Sequence, residues 1–186
     1  MSRLHSNVFL IVGGRVTSKT TFVKKLLDGA SLPKWLLIDT FRQTAYNNFR
    51  EVTFNDVYEA NLQGNCHLPS SNIEDNLHHL TERVVNTMLV FEDCLKYISS
   101  NPQPAIRKIC LDSKQRNNDV FFIYHSLSQV PPRLSTWADY LILFKTQERL
   151  KNQKSRLGGI YTQIEPAFIE VNKHKSKFYN KAVQLY

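Results

Sequence analysis

The stretch from Phe9 to Leu27, FLIVGGRVTSKTTFVKKLL, constrains the chain more than any other. An apolar run (8–12) closes on Gly13-Gly14, and a segment with Phe22, Val23, Leu26 and Leu27 at helical spacing follows and stops at Gly29. A buried strand passing through a glycine turn into a helix is the repeating unit of open α/β sheets. The turn also nearly matches the phosphate-binding pattern G-x-x-x-x-G-K-[ST], with Gly13, Lys19 and Thr20 in place and Ser18 where the second glycine belongs. In such a loop (Gly13, Gly14, Arg15, Val16, Thr17, Ser18, Lys19, Thr20, Thr21), backbone N–H groups and the helix N-terminus bind phosphate. Lys19 would reach the outer phosphates of ATP, and the Thr20 hydroxyl would hold Mg²⁺. Ser18 and the β-branched Val16 strain this reading, because glycine admits backbone conformations that side chains resist. A plain strand–turn–helix with a surface lysine is the alternative.

Four more apolar runs follow: 35–39 (WLLID), 88–93 (MLVFED), 119–126 (DVFFIYHS) and 138–146 (ADYLILFKT). Between them, 72–87 and 104–118 carry apolar residues on one helical face, with Asn72 a candidate cap. A short extra strand is expected at 51–54. Strands buried on both faces read as continuous apolar runs, so the chain is expected to form one three-layer α/β domain (1–186) with a mostly parallel sheet. After a basic loop (147–159), the tail alternates polar and apolar residues around 167–171 and 178–185, which predicts an antiparallel pair of C-terminal strands.

The run TMLVFED places Glu92 and Asp93 at the carboxyl end of a strand, where open α/β sheets bind ligands. This is a Walker B layout: Glu92 would hold the Mg²⁺ through water, and Asp93 would polarise an attacking water. An acid pair that merely favours a following helix N-terminus is the plain reading. A later strand ends in Tyr124-His125-Ser126, and His125 or Ser126 could sense the γ-phosphate or position water. His125 alone would more often be a structural histidine.

Charge is uneven. The chain carries net charge +8, and residues 145–186 hold nine Lys/Arg against three Asp/Glu, so most of the excess lies in the last quarter. A polyanion, nucleic acid first, is the expected partner. Cys66, Cys94 and Cys110 show neither a disulfide framework nor zinc-like spacing, so free thiols are preferred to a cluster of Cys66, His67, His78 and His79. No apolar run reaches the ~20 residues of a spanning helix, and no signal peptide is evident, so a soluble intracellular protein is expected.

Taken in order, the loop at 13–20, the acids at 92–93 and the segment DVFFIYHSLSQVPPRLSTWADYLILFKT resemble the FtsK–HerA superfamily of P-loop ATPases. In size the chain is similar to that superfamily's viral genome-packaging ATPases. The resemblance runs from about Val8 to Phe144. It implies a P-loop NTPase fold of the RecA-like (ASCE) kind and a homohexameric ring with double-stranded DNA through its centre and ATP between subunits. It also implies an arginine finger near the start of the fourth strand, for which Arg116 is the first choice and Arg107 and Arg133 weaker ones. Capsid or membrane-vertex proteins are the implied partners, and the host cytoplasm or the virion the implied place. Many members carry glutamine where His125 or Ser126 stands. Two other functions remain open: a nucleotide-binding assembly module with little or no hydrolysis, and a small-molecule kinase with 149–156 as its lid.

Overall fold

The structure is a computed structural model that describes residues 6–30, 32–40, 44–59, 62–67 and 73–186. Eight strands form one sheet: β1 (Val8–Val12), β2 (Lys34–Asp39), β3 (Glu51–Val52), β4 (Gln63–His67), β5 (Thr87–Phe91), β6 (Asp119–Tyr124), β7 (Tyr140–Phe144) and β8 (Asn180–Gln184). Their order across the sheet is β3-β4-β2-β5-β6-β1-β7-β8, and every pairing is parallel except β7 with β8. The mostly parallel three-layer fold with an antiparallel C-terminal strand is therefore the one expected. The helices are α1 (Lys19–Asp28), α2 (Ile73–Arg83), α3 (Pro104–Asp112), α4 (Pro132–Trp137), α5 (Lys154–Leu157) and α6 (Tyr161–Lys173).

The layers are unequal. Alternate residues of β1 point to opposite faces: Val8, Leu10 and Val12 join a core shared with α2 to α6, while Ile11 joins a smaller core with Val23 and Leu27 of α1. Among the described helices, α1 supplies one layer and the other five pack on the opposite face. Central strands β2, β5 and β6 are buried along their whole length, which is why they read as continuous apolar runs.

Several boundaries differ from expectation. The strand expected at 167–171 is part of α6. Over a longer window Tyr161, Ile164, Phe168 and Val171 recur at helical spacing and are buried, and that period outweighs five alternating residues. Pro166 sits inside this helix and removes one backbone hydrogen bond, but the buried stripe holds the helix together. The antiparallel partner of the tail strand is β7, with Leu141 opposite Val183. The segment 147–159 contains α5 and a preceding 3₁₀ turn, with Leu150 and Leu157 buried. The Arg156 guanidinium donates to the Val130 carbonyl at 2.6 Å, so 149–156 is packed down and does not form a lid. Strand β4, QGNCH, carries no apolar run and was not foreseen. Helix α3 ends at Asp112 and α2 at Arg83, short of the expected 118 and 87. Asn72 lies outside the described residues.

Candidate nucleotide site

All parallel strands deliver their carboxyl ends to one edge of the sheet. Register sets Val12 beside Tyr124 and Leu143, Phe91 beside Phe122, and Ile38 beside Phe91. The residues that follow these strands therefore meet: Gly13 after β1, Glu92 and Asp93 after β5, His125 after β6. Strand β6 lies between β1 and β5, which puts His125 between the glycine loop and the acid pair.

The loop is built as the pattern requires. The Gly13 N–H donates to the Tyr124 carbonyl at 3.2 Å and the Gly14 N–H to that of Lys145 at 2.8 Å. A Cβ on Gly13 would stand 2.4 Å from the Phe144 Cβ, so only glycine fits this approach. Ser18 has φ 66° and Val16 φ 63°. Both occupy the left-handed region that glycine enters freely and that costs other residues of order 1–3 kcal/mol. The two misfits in the sequence are thus the two strained positions of the loop. The chain adopts a phosphate-loop turn without its last glycine, and Thr17 braces it by donating to the Gly14 carbonyl at 2.7 Å.

A cavity of about 490 Å³ opens above this loop, lined by Arg15, Ser18, Lys19, Thr20, Glu92, Asp93 and His125 among others. Lys19 is buried, and its ammonium donates to the carbonyls of Gly13 at 2.5 Å and Gly14 at 2.9 Å. Burial pushes its pKa down to about 8, against the pull of Glu92 and then Asp93. Lys19 Nζ is also 3.4 Å from His125 Nδ1, and His125 Nε2 is 3.4 Å from Asp93 Oδ1. An ammonium only donates and a carboxylate only accepts, so the neutral imidazole fits with its proton on Nε2. Burial, then the Lys19 charge, holds its pKa below the usual value, opposed by Asp93.

The two acids have different surroundings. Glu92 is buried, and burial raises its pKa to about 7 against the Lys19 charge and a Tyr46 hydrogen bond. Its Oε1 accepts from the Tyr46 hydroxyl at 3.3 Å, while its buried Oε2 has no hydrogen-bond partner. Asp93 has φ 52° and pairs with Lys96 at 2.6 Å as well as with His125. An unpartnered buried carboxylate oxygen facing the same cavity as the Thr20 hydroxyl suits a hard divalent cation with oxygen ligands. Mg²⁺ fits the donor set.

Other expected residues fall elsewhere. Ser126 hydrogen-bonds Ser128 at 2.9 Å and lines an adjoining cavity of about 700 Å³ with Gly14 and Gln129. Thr21 lies on α1 and lines neither cavity. Arg116 precedes β6, at the opposite edge of the sheet from the loop. It donates to the Glu82 carbonyl at 3.2 Å and cannot reach this site. Arg107 and Arg133 share a groove with Leu111 on the face of α3 and α4. The three thiols are buried, and burial lifts that of Cys66 to about 12.

Three residues at the site escaped sequence reasoning: Tyr46, Lys96 and Lys177. Lys96 carried a faint signal, four residues after Glu92. Tyr46 carried none beyond its position a few residues after β2. Lys177 belongs to the basic tail, yet it lines both cavities.

No protein-family model and no curated protein sequence matches the chain. Solved structures do match. B204, the genome-packaging NTPase of Sulfolobus turreted icosahedral virus 2, in complex with ATPγS, superposes with a TM-score of 0.75 at 14% identity, over 97% of this chain and 92% of that one. The AMP complex of the same protein gives a TM-score of 0.77 at 13% identity, over 97% and 93%. B204 described as the DNA-packaging ATPase from Sulfolobus turreted icosahedral virus gives 0.65 at 14% identity, over 97% and 98%. The chain has the P-loop NTPase fold of B204 along nearly its whole length.

Proposed function

We propose that this chain is an ATP-hydrolysing packaging NTPase that moves double-stranded DNA. The observation that carries the reading is the convergence of Lys19, Thr20, Glu92, Asp93 and His125 on one cavity above a glycine loop. The fold shared with B204, a genome-packaging NTPase that binds ATPγS, supports it.

In this reading the loop N–H groups and Lys19 bind the phosphates, Lys19 exchanging its carbonyl contacts for phosphate oxygens. Thr20, and Glu92 through water, would hold Mg²⁺, whose charge would offset that of the phosphate oxygens. Asp93, held by His125 and Lys96, orients the attacking water. His125 replaces the glutamine common in the FtsK–HerA superfamily. The working form would be a homo-oligomer, with a hexameric ring the one that the resemblance implies; Arg116, away from this site, could then act only on a neighbour's nucleotide. Such a finger would stabilise charge in the transition state. Exposed Arg149, Lys151, Lys154, Lys173, Lys175 and Lys181 supply cations for DNA phosphates without reading sequence. Capsid or membrane-vertex proteins would recruit the ring, in the host cytoplasm or virion. Among the described residues no helix is long and apolar enough to cross a membrane.

The test is steady-state ATP hydrolysis with and without double-stranded DNA. Wild type is expected to turn over faster with DNA, and Lys19→Ala to lose at least 100-fold. A second reading rests on strained Ser18: a module that binds ATP and gates assembly without hydrolysis. Tight binding with no turnover in either condition would establish that reading and remove the motor.

A further inference from the structure

Tyr46 follows β2 in a short 3₁₀ turn (Thr44–Tyr46) and is 1% exposed. No motif points to it. Its ring packs in the smaller core, stacked on Phe49 with centroids 5.7 Å apart. Its hydroxyl is the polar end of an apolar body, and it lies under the nucleotide cavity rather than in it. There it donates to Glu92 Oε1 at 3.3 Å, with the Thr20 side chain nearby.

The Tyr46 O–H donates to Glu92 Oε1, and its oxygen stays able to accept from a hydroxyl such as that of Thr20. Glu92 keeps Oε2, the buried atom with no partner. The acid after β5 that would hold a cation is thus tied to a phenol rooted in the core.

We infer that Tyr46 is a positioning residue for the divalent cation, orienting Glu92 from behind through its single hydroxyl. The inference rests on the nucleotide reading above. Partners that orient metal ligands in this way typically affect metal affinity 10- to 100-fold. The contribution is specific to the cation. Phosphate binding by Lys19 and the loop N–H groups does not pass through Tyr46.

The experiment is calorimetric titration of the full chain with ATPγS, in EDTA and in Mg²⁺, for wild type and Tyr46→Phe. Phenylalanine keeps the ring and its packing, and the melting temperature of each protein is measured alongside. Tyr46→Phe is expected to bind ATPγS in EDTA within twofold of wild type and to lose about tenfold of the affinity that Mg²⁺ adds. Glu92→Gln gives a second arm: if both act at one contact, the double variant loses little more Mg²⁺-dependent affinity than Glu92→Gln alone. An unchanged Mg²⁺ increment in Tyr46→Phe would overturn the inference. So would an equal loss in EDTA and Mg²⁺, which would make Tyr46 a support of the loop only. Wild type that binds no ATPγS in either condition would instead overturn the nucleotide reading, and this inference with it.

Discussion

As the proposed cation-holding acid, Glu92 would trade stability for chemistry. Its carboxyl is buried beside Lys19, Asp93 and Asp39, and its pKa is raised from the ordinary 4.5 to about 7. The folded state therefore prefers the neutral acid. Stability from this group is fully present below pH 4.5 and is lost as pH rises through 7. In the protein without nucleotide or metal, Glu92→Gln is expected to raise the melting temperature at pH 8, by a free energy on the order of 1–3 kcal/mol. At pH 4 the two proteins should melt together. Thermal melts at the two pH values check this, and a Glu92→Gln protein less stable at pH 8 would show that the Lys19 pairing outweighs burial. Serine at position 18 is a second such trade: its hydroxyl-bearing Cβ sits in the left-handed region, and the loop keeps its shape around it.

At the scale of elements, the segment joining α6 to β8 carries part of the basic tail to the cavities beside the glycine loop. Its ends are tied by a stacked pair, His174 on Tyr179 with centroids 4.0 Å apart, and by Lys181 on Glu170 at 3.0 Å. Lys145 donates to the His174 carbonyl at 3.4 Å. Lys177 is carried on this tied turn to the mouth of both cavities, with Arg15 and Val16 across from it. Lys177→Ala is expected to weaken ATPγS about tenfold and AMP less than twofold, as read by competition binding. Equal effects on the two ligands would place Lys177 away from the terminal phosphates. This turn also marks the limit of what the sequence tells. The strands β1, β2, β5, β6 and β7 were legible because burial on both faces demands unbroken apolar runs. The edge strand β4 was not, because QGNCH has no such run and its pairing to β2 comes from register alone. Helix α6 was read as a strand at 167–171 because residues there alternate polar and apolar, while the stripe from Tyr161 to Val171 acts over a longer range. At the site, Lys19, Thr20, Glu92, Asp93 and His125 announced themselves by spacing from strand ends. Lys177 reaches the cavity, and Tyr46 reaches Glu92 beneath it, through tertiary packing, which no spacing encodes.

For the molecule as a whole, function depends on how the sheet gathers distant segments. Seven of its strands deliver their carboxyl ends to one edge, and those of β1, β5 and β6 bring together residues more than a hundred positions apart. The basic surplus of the last quarter is divided: Lys177 lines the cavities beside the loop, and other cations lie exposed on the surface. The layer asymmetry leaves α1, which carries Lys19 and Thr20, as the one described α-helix on its face. Loop strain, core packing around Tyr46 and the acid pair all converge on a single claim, that this chain binds a nucleoside triphosphate through a loop in which serine stands for glycine. The measurement that tests it most directly is the affinity for Mg²⁺·ATPγS of wild type, Lys19→Ala and Ser18→Gly. The account predicts that wild type binds, that Lys19→Ala loses at least 100-fold, and that Ser18→Gly stays within threefold of wild type. A wild type that does not bind, with binding restored in Ser18→Gly, would contradict it.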